Sequence, residues 1–93
     1  MYLIKTEVCG NPDFGQDPSQ PPYGVVVETL HAETMTELRK IVNKWMEDNN
    51  IGGGNWMNPK VLKNGKTLGF MSYNGRVWDR SPWNNNAQRV EEV

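Results

Sequence analysis

Apolar and polar residues alternate from position 2 to position 8: Tyr2, Ile4, Thr6 and Val8 fall on one side, Leu3, Lys5 and Glu7 on the other. A period of two marks a half-buried β-strand. The next stretch, CGNPDFGQDPSQPPY at 9–23, holds four prolines and two glycines, which deny it a regular ladder. It reads as a long loop, and long loops in small domains often carry function. Residues 24–30, GVVVETL, read as a second strand folded back on the first.

The pattern then changes period. Met35, Leu38, Ile41, Val42 and Trp45 recur at spacings of three and four, while Arg39, Lys40, Asn43, Lys44 and Glu47 take the other side. This is one amphipathic helix. Thr34 with Glu37 three residues later forms a capping box at its start. The stripe stops near Asn49 and Asn50, and Gly52 to Gly54 are expected to end the helix and link it onward.

A meander follows. Asn64-Gly65 and Asn74-Gly75 both read as two-residue type I′ turns. Two-residue turns fix the register: Val61 faces Leu68, Tyr73 faces Arg76, Ser72 faces Val77, Met71 faces Trp78 and Phe70 faces Asp79. Alternation then sorts Val61, Leu68, Phe70 and Val77 onto one face, and Leu62, Met71, Tyr73, Arg76 and Trp78 onto the other. The helix stripe covers the first face. The expected fold is α+β: a small antiparallel sheet with elements in the order ββαβββ and one amphipathic helix packed on one face. It occupies 1–79 as a single domain, with 80–93 a polar tail that packs, if at all, through Trp83.

Composition fits this size. A chain of 93 residues makes one domain with a small core, and four Trp, three Tyr, two Phe and five Met compensate for an apolar share of 37%. Net charge is -1, unlike a dedicated duplex DNA binder. The balance is uneven along the chain, however. Residues 1–50 hold eight acids and four bases (net −4), and residues 51–80 five bases and one acid (net +4). A dipole of this kind can steer a partner of either sign and allows head-to-tail self-association. One cysteine excludes an internal disulfide, and the N-terminal MYLIKTEV lacks the pattern of a signal peptide. A cytoplasmic protein with no membrane span is expected.

Reactive constellations fail on spacing. Lys66 and Thr67 follow a glycine as at the end of a phosphate loop, but Lys60 stands where that loop needs its first glycine, and a strand follows instead of a helix. Cys9 and His31 are the only thiol and imidazole, and the hairpin sets them about 20 Å apart. One His and one Cys make no structural zinc site, and Asp13 and Asp17 do not space a calcium loop. Glu28 and Glu33 have nothing to position a substrate between them. No enzymatic activity, cofactor or metal is expected.

Binding is what remains. Trp56, Tyr73, Arg76, Trp78 and Trp83 are residue types that dominate interface hot spots, and Phe14 marks the proline-rich loop. A tight turn at Asn74-Gly75 sets Tyr73 beside Arg76, with Trp78 next on the same face, as one continuous patch. The expected function is a non-enzymatic protein-binding module that occludes a partner's surface. In size and style it is similar to small accessory or inhibitor proteins of phages and mobile elements. The alternative is single-stranded nucleic-acid binding, with bases on Tyr73 and Trp78 and phosphates on Lys60, Lys63, Lys66, Arg76 and Arg80. Unpaired sheet edges and a face the helix cannot cover lead us to expect a homodimer.

Overall fold

β1 (Tyr2–Lys5) is flanked on both sides, and the rest of the sheet grows from it. β2 (Thr29–Ala32) and β3 (Lys60–Lys63) both pair with it antiparallel. β4 (Lys66–Met71) and β5 (Val77–Trp78) follow as a meander, so the strand order is β2-β1-β3-β4-β5. Helix α1 (Met35–Asp48) carries the chain from β2 across to β3. This computed structural model describes residues 1–81 and 84–90; Trp83 lies outside the described residues. The α+β class, the antiparallel sheet and the single packed helix agree with the sequence reading.

The second strand does not lie at 24–30. Gly24 adopts φ 80 in a turn closed by Val25 N–H donating to the Pro22 carbonyl at 3.1 Å. Val25 packs on the core while Val26 and Val27 stay exposed. Pairing begins where Thr6 engages Glu28 through both backbone N–H and Oγ1, at 2.8 and 2.7 Å, and β2 follows with Ile4 opposite Leu30. β1 is also shorter than 2–8: beyond Lys5, Val8 makes one bridge to Trp56.

α1 starts as expected, with Thr34 Oγ1 accepting from Glu37 N–H at 3.1 Å. Its buried stripe is Met35, Leu38, Val42, Trp45 and Met46, and Ile41 is 38% exposed. At about 100° per residue, Ile41 falls at the margin of that stripe and Met46 closer to its middle. The three glycines do not end the helix. Asn50 takes φ 54, and buried Ile51 donates its N–H back to Met46 at 2.9 Å, a left-handed C-terminal cap.

Two one-residue slips separate the observed meander from the expected one. Asn64 and Gly65 have φ 51 and 83, the type I′ turn expected there. Past it, Leu62 pairs with Thr67 but Val61 pairs with Gly69, so Leu68 is an extra residue in β4. A bulge of this kind reverses the faces of everything beyond it. The second turn is then a three-residue loop, Tyr73 to Gly75. Ser72 N–H donates to the Arg76 carbonyl at 2.8 Å, Gly75 takes φ 86, and Met71 pairs with Val77.

The two slips cancel at β5, where Val77 points to the helix and Arg76 and Trp78 point away. In β4 they do not cancel. Met71 joins Ile4, Val61 and Val77 in the core, all fully buried, and Phe70 turns outward opposite Trp78. Burying the flexible Met71 against α1 leaves the larger ring on the open side. Gly69 makes the crossing possible: a Cβ there would stand 2.5 Å from the Trp78 carbonyl and 2.7 Å from Val90 Cγ2. Gly69→Ala is therefore expected to lower stability by about 1–3 kcal/mol through overpacking, read as a reduced urea midpoint with unchanged slope.

Candidate binding surfaces

The sheet has two sides with different chemistry. On one, α1 covers Ile4, Val61, Met71 and Val77. On the other, register places Leu3 beside Leu62, and Lys60, Phe70, Trp78 and Arg89 in one line across four chain segments. Leu3, Leu62, Phe70 and Trp78 are each half-buried. Lys5 and Arg76 extend the same face. Adjacent strands lie about 4.8 Å apart, so the line of four spans roughly 15 Å.

Trp78 is held in place. Its Nε1–H donates to Ser72 Oγ at 3.2 Å, while the Ser72 hydroxyl turns to Asn74 Oδ1 and the Arg76 carbonyl. The far edge of β5 is closed by residues 88–90. Val90 N–H donates to Val77 at 3.0 Å, and Asp79 N–H to Gln88 at 2.9 Å. Asp79 Oδ1 accepts from Gln88 N–H at 3.0 Å and from Arg80 Nε at 3.1 Å. The Arg80 side chain first, and then the Gln88 N–H, hold the Asp79 carboxyl below its usual 3.8.

The residues expected to form one patch are divided by this geometry. Arg76 and Trp78 share the open face. Tyr73, 48% exposed, sits in the three-residue loop on the other side, its ring edge 3.6 Å from where a Gly53 Cβ would stand. The extra loop residue takes Tyr73 out of line with Trp78. Trp56 is a correction of another kind. It is 6% exposed, its Nε1–H donates to the Met71 carbonyl at 2.8 Å, and its ring lies 6.4 Å from that of Trp45. Its Gly/Asn-rich surroundings suggested a free ring, but the bridge from Val8 draws it inward.

Phe14 is 78% exposed at the end of a short 3-10 turn, Pro12–Phe14. The loop that carries it is anchored through buried Asn55, whose Nδ2 donates to the Cys9 carbonyl at 2.9 Å and to Gln16 Oε1 at 3.0 Å. The candidate phosphate contacts are likewise split. Lys60 and Arg76 lie on the open face. Lys63 stacks its ammonium 5.6 Å from the Tyr2 ring on the helix side, Lys66 pairs with it at the hairpin end, and Arg80 is engaged by Asp79.

Sequence reasoning missed Phe70, Leu3 and Lys5 as surface candidates. A glycine inside an otherwise apolar strand is a signal for a bulge or a close approach, and Gly69 carried that signal for Phe70.

His31 pairs with Leu3 at one end of β1, and Cys9 lies beyond the other, with its N–H donated to Asn55. About six residues of extended chain, near 20 Å, lie between those levels. Among the described residues no group of three His, Cys, Asp or Glu gathers to hold a metal ion. No helix among them is long and apolar enough to cross a membrane. No protein-family model matches the chain, no curated protein matches its sequence, and no solved structure matches its fold.

Two measurements check this geometry. Trp56→Phe keeps the ring packing but leaves the buried Met71 carbonyl without its donor, with an expected cost of about 1–3 kcal/mol in chemical denaturation. Acidification addresses Asp79. A carboxyl whose folded pKa is depressed contributes above its unfolded value, and that contribution is lost as pH falls through the lowered one. Hydrogen exchange at the Gln88 amide is expected to accelerate below pH 3.8, while Val61 and Met71 amides stay protected. Equal acceleration at all three would refute a local Asp79 clasp.

Proposed function

We propose that this protein is a non-enzymatic binding module that occludes a surface of a partner protein with its open sheet face. The observation that carries the reading is the apolar band of Leu3, Leu62, Phe70 and Trp78, placed across four strands on the side away from α1. An apolar centre with an aromatic pair and an arginine at its margin has the composition of an interface core with a polar rim. Lys5, Lys60 and Arg76 make that rim cationic, so the complementary surface is apolar and acid-rimmed. Exposed Phe14, on its anchored loop, gives a separate point of contact.

A second reading has its own support. The line Lys60, Phe70, Trp78, Arg89 sets two adjacent rings between two cations, an arrangement suited to stacking bases and tracking phosphates of a single strand. Leu3 and Leu62 beside the rings favour the protein reading, since a leucine offers a base no stacking plane.

The test compares wild type with Leu62→Glu and Arg76→Ala. Both variants are expected to keep the wild-type melting profile. Leu62→Glu is expected to lose a protein that wild type retains on affinity capture, and Arg76→Ala to weaken its binding by about 1–3 kcal/mol. Retention of the same protein by both folded variants would overturn the reading. So would quenching of tryptophan fluorescence by an oligonucleotide with a steep salt dependence, which is the mark of counterion release. Light scattering at twice the chain mass, abolished by Leu62→Glu, would identify the partner as a second copy.

A further inference from the structure

β2 forms one edge of the sheet, and the alternation of its hydrogen bonds fixes what that edge presents. Thr6 N–H donates to the Glu28 carbonyl at 2.8 Å, so Glu28, Leu30 and Ala32 turn their peptide groups toward β1. Thr29 and His31 alternate with them and turn both N–H and C=O outward. The other side of β1 agrees. Asn64 N–H donates to the Met1 carbonyl at 3.0 Å, so Leu3 and Lys5 bond toward β3 and leave Tyr2 and Ile4 for β2. Among the described residues none pairs with the outward groups of Thr29 and His31. At the opposite edge, about 19 Å away across four strand spacings, residues 88–90 cover β5.

An open edge invites another strand unless lysine, proline or a bulge blocks it. No lysine, arginine or proline occurs from 23 to 38, and β2 pairs with β1 without a register shift. The edge is also complementary to itself. Laid antiparallel about a twofold axis through Leu30, Thr29 of one copy stands opposite His31 of the other. Each such pair exchanges both N–H···O=C bonds, so no outward group is left over. Sliding either way pairs an outward residue with its own counterpart and sets Val27 or Glu33, both outside the strand, opposite the other.

Side chains suit the same register. Leu30, half-buried at the margin of the core, meets its counterpart at the close spacing of a non-hydrogen-bonded pair. Exposed Thr29 meets exposed His31, and Glu28 meets the methyl of Ala32, so no like charges face one another. Closure of two open faces on each other lacks this property, since Lys5, Lys60 and Arg76 would confront the same cations.

We infer that β2 is a self-pairing edge whose occupant is a second copy of this chain, the two sheets joining antiparallel through Thr29 and His31 into one continuous sheet. The inference does not rest on the open-face reading. It extends that face, however: Thr29 and His31 stand beside Lys5 and Leu3, so joining sets the two open faces next to each other on one side of the combined sheet.

Amide hydrogen exchange of the whole chain at graded concentrations tests this, with light scattering on the same samples. The Leu30 amide, bonded to β1, is expected to exchange slowly throughout. Thr29 and His31 amides are expected to be fast in dilute protein and to slow at least roughly tenfold as the scattering mass doubles, over a roughly hundredfold range of concentration. His31→Pro removes an outward donor where an edge strand tolerates proline, and is expected to keep the far-UV spectrum while weakening association roughly tenfold. Thr29→Lys leaves the backbone intact and is expected to weaken association as well. In a mixed labelled and unlabelled sample, a filtered NOE between Leu30 Hα protons is expected, and its absence from a species of doubled mass would refute this pairing. Slow Thr29 and His31 amides at the single-chain mass would overturn the inference, because a segment of the same chain then covers the edge. A single-chain mass across the whole range overturns it too. So does a dimer that Leu62→Glu abolishes and both edge variants leave intact, since the contact then lies on the open face.

Discussion

Between Thr67 and Gly69 the fourth strand carries one residue more than its partner, and this extra residue decides what the protein shows to its surroundings. A sheet strand has two faces and no third option, so an added residue exchanges hidden side chains for displayed ones. Without Leu68 in the bulge, Phe70 would sit under α1 and Met71 would lie outside. With it, Met71 is enclosed by Trp56, Val61 and Val77, and the Trp56 ring nitrogen closes on its carbonyl. That hydrogen bond joins the segment after the helix to the centre of the meander, so the core and the register support each other. Gly69 is the necessary complement, because only a residue without a Cβ lets β5 and residue 90 close over the bulged strand.

The same device separates two kinds of surface. Phe70 and Trp78 are held side by side on strands, where their rings cost little entropy to present. Tyr73 stands on a loop that is itself tethered to the helix through Arg39. The cations divide in the same way: Lys5, Lys60 and Arg76 go with the sheet face, Arg39 and Lys40 with α1. The positive excess read along 51–80 is thus not one patch. Lys63 and Lys66 are spent at a hairpin end, and Arg80 is paired with its neighbour Asp79.

Much of this architecture was legible in the sequence because it rests on local signals. The Thr34 cap, the helical stripe and the Asn64-Gly65 turn each require only a few neighbouring residues, and each stands where the pattern put it, apart from Met46 in place of Ile41 in the buried stripe. What was not legible depends on partners distant in sequence. Asn74-Gly75 carries the same dipeptide as the first turn, yet its loop is one residue longer, because Met71 and Val77 must both face the helix. The valines at 25–27 look like a strand, but Thr6 claims Glu28 and moves the pairing onward. Trp56 looked free because its neighbours are polar and flexible; only the pairing of Val8 with it, across 48 positions, pulls it inside.

For the candidate sites the lesson runs through compensating errors. Two missed slips cancel at β5, so Arg76 and Trp78 fall on the anticipated side for a reason that the turn alone does not supply. They do not cancel at β4, and the ring that accompanies Trp78 is Phe70 rather than Tyr73. The aromatic pair is consequently flatter and more enclosed than a turn-based patch, with leucines rather than a phenol at its margin. The phenol, freed from the sheet, stands instead beside the Gly53 backbone, on the side that α1 occupies. One inserted residue in a short strand thereby decides which side chains this small chain closes beneath its helix and which it turns to the open side of the sheet.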